Sequence, residues 1–149
     1  AGDLDGAIGI YEKLYTQDSS SVVVANNLAS LISATRDDAD SLARAATISR
    51  RLRGTKVPAF QDTYGWIAYR RGDFDEALAY LEPAAAELTN DPVVQYHLGM
   101  AYAALQRPQE ARETLEQALK IGGDSPLPEL QAARDKLAEL DAGTPPKSE

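Results

Sequence analysis

The sequence contains no cysteine and only one histidine, His97. Without cysteine the chain can form no disulfide, no thiolate nucleophile and no cysteine-ligated zinc site. A histidine-based catalytic triad would have to use His97, and no nucleophile elbow, Walker loop or dinucleotide-binding loop is present. We therefore expect no enzymatic activity, no catalytic residues, no metal site and no cofactor.

Long apolar runs are also missing. No stretch approaches the roughly 18 consecutive apolar residues that a membrane-spanning helix needs, and no secretory signal pattern is visible. These absences leave the compartment open between the cytoplasm and the cell envelope. The sequence starts at Ala1 rather than at a methionine, so we expect a further segment to precede it.

Basic residues are few, with 15 lysines and arginines against 23 aspartates and glutamates, and the net charge is −8. Proteins that bind nucleic acid usually carry a basic face, so we expect no nucleic-acid partner. The basic residues concentrate between Arg36 and Arg71, which predicts a solvated outer face or a docking surface for an acidic partner or a neighbouring subunit. The acidic run Asp37–Asp40 lacks the spacing of a calcium loop and is interpreted as a helix start.

What the chain does have is an internal repeat. Shifting the sequence by 34 residues superposes similar residues over two full copies. The matching pairs are Pro58 and Pro92, Gln61 and Gln95, Gly65 and Gly99, Glu76 and Glu110, Ala77 and Ala111, Leu81 and Leu115, and Ala84 and Ala118. Small residues recur where two helices must approach closely, and leucine recurs where a large side chain must fill the gap between them.

A third copy begins the chain, since residues 2–8 match residues 72–78. The offset of 70 residues implies that the copy between them, around residues 26–32, contains two extra residues. Its second helix can be placed in two registers. One uses Ala39, Ala43 and Ala46 as packing positions, and the other uses Ala43 and Thr47.

The spacing of Leu98, Gly99, Tyr102, Ala111, Leu115 and Ala118 resembles the tetratricopeptide-repeat (TPR) consensus of bacterial type. The consensus tryptophan position holds Ala25, Gln61 and Gln95, and Gln106 replaces the turn glycine. Residues 62–66 and 96–102 are also similar to phrases in bacterial TPR proteins associated with exopolysaccharide export and cell-surface sorting. The resemblance implies an all-α fold, a right-handed TPR α-solenoid of helix–turn–helix repeats with a C-terminal capping helix.

The 34-residue period predicts pairs of helices, which we place at residues 3–17, 21–34, 38–53, 58–71, 74–88, 92–105, 108–121 and 127–141. We expect one domain over residues 1–141, divided into a partial repeat (1–20), three repeats (21–57, 58–91 and 92–125) and a capping helix (126–141). Residues 142–149 are expected to form a disordered tail. The capping helix should turn Leu130, Ala133, Leu137 and Leu140 inward. At the other end, apolar surface around Leu4, Ile8 and Tyr11 should be exposed and could support self-association.

In TPR domains the first helix of each pair lines a concave groove. By that resemblance, the partner-binding residues are expected to be Asn26, Ser30, Asp62, Trp66, Tyr69, Arg70, Tyr96, His97 and Met100. Aromatic and arginine side chains are enriched at binding hot spots, and methionine adapts to irregular partners. Because no lysine occupies a groove position, a clamp for a C-terminal carboxylate is not expected.

Three functions fit these observations. The first is a non-catalytic scaffold that binds an apolar segment of a partner peptide or protein in the groove. The second is a structural module that self-assembles through the N-terminal edge. The third is a regulatory repeat region of a larger multidomain protein.

Overall fold

The computed structural model describes residues 3–143, and these form a row of α-helices. The helices are α1 (Leu4–Gln17), α2 (Val22–Thr35), α3 (Ala39–Ser49), α4 (Pro58–Arg70), α5 (Phe74–Glu87), α6 (Pro92–Ala104), α7 (Pro108–Gly122) and α8 (Pro128–Ala142). A 3₁₀ turn, Arg50–Leu52, extends α3. All predicted helices are present, and apart from the end of α3 their bounds lie within one residue of the prediction. The expected tail is wrong at Ala142, which belongs to α8, and residues 144–149 lie outside the described part of the chain.

Local start signals explain these bounds. Asp3, Ser21, Asp38 and Asp91 accept hydrogen bonds from backbone N–H groups in the first turn of the helix that each precedes. Proline occupies the first helical position of α4, α6, α7 and α8, where no backbone N–H is needed. Asp73 precedes α5 and stands three residues before Glu76, but the two residues do not form a capping box. Asp73 makes no side-chain capping bond, and Glu76 instead accepts a hydrogen bond of 2.8 Å from the Tyr64 hydroxyl.

Glycine opposite leucine sets the distance between paired helices. A Cβ placed on Gly65 would lie 2.8 Å from Cγ of Leu81, and one placed on Gly99 would lie 2.7 Å from Cγ of Leu115. Such distances are too short for real carbon atoms, so α4 meets α5 and α6 meets α7 only because these positions lack a side chain. The predicted roles of the repeated glycines and leucines are confirmed. The chain uses the same arrangement a third time, between Gly122 and Leu130.

Both predicted registers for α3 are wrong. Ala39, Ala43 and Thr47 are exposed and Ala46 is only half-buried, whereas Ala45 and Ile48 are fully buried. An alanine-rich helix offers several faces of similar size, so the sequence pattern alone does not select one. Ile48 is the one large apolar side chain of α3 that is fully buried, and its packing in the core with α2 sets the face that turns inward.

The last helix caps the row as predicted. Leu130 and Ala133 are fully buried, and Leu137 and Leu140 pack beside them against side chains of α6 and α7. None of the helices within residues 3–143 is both long and apolar enough to cross a membrane.

The first helix packs only partly against the rest of the molecule, since α1 has no buried residue. The prediction that Ile8 and Tyr11 are exposed is wrong, because both side chains are half-buried against the core of α2 and α3. The exposed apolar side chains of α1 are Leu4, Ile10 and Leu14, of which Ile10 is 61% exposed. Leu4 is thus exposed as predicted, whereas Ile10 and Leu14, rather than Ile8 and Tyr11, complete the exposed apolar edge.

Candidate functional site: a cavity on the concave side

Four helices, α2, α4, α6 and α8, surround a cavity of about 420 Å³, which we call the concave cavity. Six of the predicted partner-binding residues line it: Ser30, Asp62, Trp66, Arg70, Tyr96 and His97. The rest of its lining consists of Ser33, Ala34, Thr63, Val93, Pro128, Glu129 and Ala132. Residues that are more than sixty positions apart in the chain thus meet at one place.

Trp66 is the centre of an aromatic cluster. Its ring stacks on that of His97, with centroids 4.0 Å apart and planes inclined by 16°, and on that of Tyr69, at 4.7 Å and 9°. The Tyr96 ring lies 5.6 Å away and is tilted by 54°. The tryptophan is half-buried, so it both packs against its neighbours and presents surface to the concave cavity. Clustered aromatic surface of this kind is typical of binding sites.

His97 and Asp62 join α6 to α4 within this wall. His97 Nδ1 lies 2.8 Å from Asp62 Oδ1, and the two side chains are only 10% and 15% exposed. A carboxylate only accepts hydrogen bonds, so Nδ1 carries the proton and donates it. The contact orients the imidazole against Trp66. This arrangement explains His97 as a packing residue of the cavity wall.

Arg70 is held by groups on the preceding helix pair. Its guanidinium donates to the Ser33 carbonyl at 2.7 Å, to the Arg36 carbonyl at 3.3 Å and to Asp37 Oδ1 at 2.7 Å. Two of these acceptors are carbonyls at the C-terminal end of α2, where backbone oxygens have no helical partner. Arg70 therefore links α4 to the α2–α3 corner. Its positive charge is already paired with the Asp37 carboxylate.

Burial also affects the hydroxyl of Tyr96, which belongs to the aromatic cluster. Loss of hydration raises the pKa of Tyr96 to about 12, so its hydroxyl stays protonated even in moderately alkaline solution. The helix α8 contributes Glu129 to the lining. The Oε2 atom of Glu129 is buried and has no hydrogen-bond partner within the described residues.

The structure separates the remaining predicted residues from the concave cavity. Tyr69 and Met100 line a neighbouring cavity of about 270 Å³, to which α8 contributes Lys136, Glu139 and Leu140. Asn26 lines neither of these cavities, and its Nδ2 donates to Asn27 Oδ1 at 3.2 Å. The predicted set is thus divided between two adjacent cavities and one residue outside them.

The sequence prediction missed the contribution of α8. The signal was present, because Pro128 follows Pro92 by 36 residues, which is close to the repeat period. Continuing the repeat past α7 places Glu129 at the position of Val93 and Ala132 at that of Tyr96, and all four line the concave cavity. The capping helix occupies the place of the next first helix, so it lines the concave side as those helices do.

No group of three or more histidine, aspartate or glutamate side chains within residues 3–143 is close enough together to hold a metal ion. The concave cavity therefore offers aromatic surface, hydrogen-bond acceptors and charge, and no metal-binding cluster among the described residues.

Comparisons with known proteins agree with this geometry. Residues 68–137 match the family model described as tetratricopeptide repeat. A thermophilic TPR protein of Thermus thermophilus, TTC0263, superposes with a TM-score of 0.65 at 17% identity, covering 93% of this chain and 73% of that chain. MamA of Desulfovibrio magneticus RS-1 gives 0.61 at 17% identity, with 99% and 89% covered, and the Sgt2 TPR domain of Aspergillus fumigatus gives 0.50 at 15%, with 100% and 89% covered. A search of curated protein sequences gave no significant match.

Proposed function

Given that this chain is an all-helical solenoid of tetratricopeptide repeats, we propose that it is a non-catalytic scaffold that binds a segment of a partner protein in the concave cavity. Tetratricopeptide repeats generally mediate protein–protein interaction. The observation that carries the proposal is the aromatic cluster of Trp66, Tyr96 and His97 in the cavity wall. Rigid aromatic side chains contribute large contact area for little loss of conformational entropy, so they serve as anchors for a bound segment.

The size of the cavity limits what enters it. A volume of about 420 Å³ holds a few side chains and not a whole helix. The partner segment would therefore lie along the concave side and insert only part of its surface. An apolar portion of that segment would rest on Trp66 and on the neighbouring cavity beside Met100.

The test is capture of partner proteins from a lysate of the source organism by the wild type and by the variant Trp66→Ala. Loss of an aromatic anchor at a hot spot costs about 2 kcal/mol or more, so we expect capture to fall by about thirtyfold. The matched control is Tyr80→Ala, which removes a half-buried aromatic ring from the outer helix α5.

Circular dichroism must show that both variants keep their helical content. Equal capture by the wild type and by folded Trp66→Ala would contradict the assignment of the site. Arg70 is unsuitable for this test, because its substitution would also break the tie to α2 and α3. Given the resemblance of residues 62–66 and 96–102 to export-associated proteins, an envelope assembly is the first setting to search.

Self-assembly is the second candidate function, and the apolar side chains exposed on α1 favour it. Leu4, Ile10 and Leu14 are each at least 40% exposed on one helix, and Val22 and Val23 are exposed at the start of the next. Exposed apolar residues that cluster in this way mark interaction surfaces. A second copy of the chain could cover this edge.

A further inference from the structure

We propose that the concave cavity receives a lysine or arginine side chain of the partner segment, and that Glu129 is its principal hydrogen-bond acceptor. This inference rests on the proposed function and adds to it the chemistry of the residue that the partner must present. It assigns to α8 a part in recognition as well as in capping.

The first observation is the unpaired carboxylate oxygen. Glu129 Oε2 is buried and has no partner within residues 3–143, although the side chain lines an open cavity. A buried acceptor without a donor is costly, and a charged one more so. A ligand that brings a cationic donor to the Glu129 carboxylate therefore compensates its charge, whereas a purely apolar ligand does not.

The second observation is the distribution of charge in the lining. The carboxylates of Asp62 and Glu129 both belong to it, and its arginine, Arg70, is bound to acceptors at the α2–α3 corner. Asp62 is held by His97 and is only 15% exposed. The cavity therefore contains negative charge that Arg70 does not neutralise. An acidic side chain of a ligand would be repelled by these carboxylates.

The third observation is the apolar wall. Trp66, Val93 and Ala132 lie in the same lining as Glu129. Lysine and arginine carry a long aliphatic stem, which can cover such a wall while the charged end reaches the carboxylate.

The test uses arrays of short peptides with random flanking residues and one fixed central residue. The central residue is arginine, lysine, citrulline, leucine or glutamate, so that citrulline preserves the shape of arginine without its charge. The arrays are probed with the wild type, Glu129→Gln, Trp66→Ala and the matched control Glu116→Gln. Glu116 is exposed on the outer helix α7, and its substitution removes the same charge at a distance from the concave cavity.

We expect the wild type to prefer central arginine or lysine over citrulline by about tenfold, which is typical for one charged hydrogen bond. Glu129→Gln should lose this preference while still binding peptides, and Glu116→Gln should keep it. Because Trp66 is the only tryptophan in the sequence, its fluorescence then reports the affinity of selected peptides at this cavity directly.

The outcomes separate this inference from the proposed function. Peptide binding that depends on Trp66 but shows no preference for a basic residue, or a preference that survives Glu129→Gln, overturns the inference and leaves the scaffold function standing. Peptide binding that is absent, or that is unchanged in folded Trp66→Ala, overturns both.

Discussion

Gln106 has a φ of +58°, which makes it the one non-glycine residue with positive φ within residues 3–143. It lies between α6 and α7, at the point where Gly72, with a φ of +86°, separates α4 from α5. The left-handed conformation strains any residue that has a Cβ, and glycine avoids that strain. Glutamine in place of the expected turn glycine therefore destabilises this turn. The turn nevertheless keeps the left-handed conformation that Gly72 adopts in the preceding repeat.

The variant Gln106→Gly should raise the free energy of unfolding by about 0.5–1 kcal/mol, because relief of the strain exceeds the added freedom of the unfolded chain. Chemical denaturation measures the change. The matched control is Gln117→Gly, in the middle of α7, which should lower stability by about 1 kcal/mol since the backbone there is already right-handed. A loss of stability in both variants would show that Gln106 is not strained.

Two buried glutamines show how the chain departs from the TPR consensus without losing the fold. Gln95 stands at a consensus tryptophan position, and its Nε2 donates to the carbonyls of Ala85 and Leu88 at 3.1 and 3.3 Å. Gln61 likewise donates to the Thr55 carbonyl at 3.2 Å. Each amide thus satisfies backbone oxygens at the junction that leads into its own helix.

At the scale of helices, the contact between glycine and leucine decides how closely a pair can pack. Gly65 and Gly99 approach leucines of their partner helices too closely for a side chain to fit. Gly9, by contrast, lies inside α1, where a Cβ would have no atom within 4 Å. The same residue type therefore has a packing role in α4 and α6 and none in α1.

The variant Gly99→Ala should lower the free energy of unfolding by about 1–3 kcal/mol, because the added methyl group forces α6 and α7 apart. Gly9→Ala should instead raise it by about 0.5–1 kcal/mol through helix propensity alone. Thermal or chemical denaturation of the two variants provides the comparison. Equal effects of the two substitutions would contradict a packing role for Gly99.

At the scale of the whole molecule, the two ends of the solenoid differ. The C-terminal end is covered by α8, whose Leu130 and Ala133 are fully buried. The N-terminal helix α1 has no buried residue and exposes Leu4, Ile10 and Leu14. Terminal repeats of a solenoid usually carry a polar outer face, so these exposed apolar side chains are the basis of the proposed self-association.

If α1 mediates self-association, light scattering over a concentration series should show a mass that increases with concentration. The variant Ile10→Lys should keep the chain monomeric, because a charge on the most exposed of these side chains opposes burial of the edge. Lys13→Glu, a charge change at an exposed position of the same helix, serves as the control. A mass equal to one chain at every concentration would remove the support for self-assembly.

The sequence by itself determined the helices and the pairing of their close contacts. Prolines, capping residues and the 34-residue period act locally or repeat regularly, so they can be interpreted without the fold, and they placed most helix ends within one residue. Only the tertiary structure decided the face of α3 that is buried and the engagement of Arg70 at the α2–α3 corner. These depend on the rotation and curvature of helices relative to one another, which arise from the packing of side chains distant in the sequence.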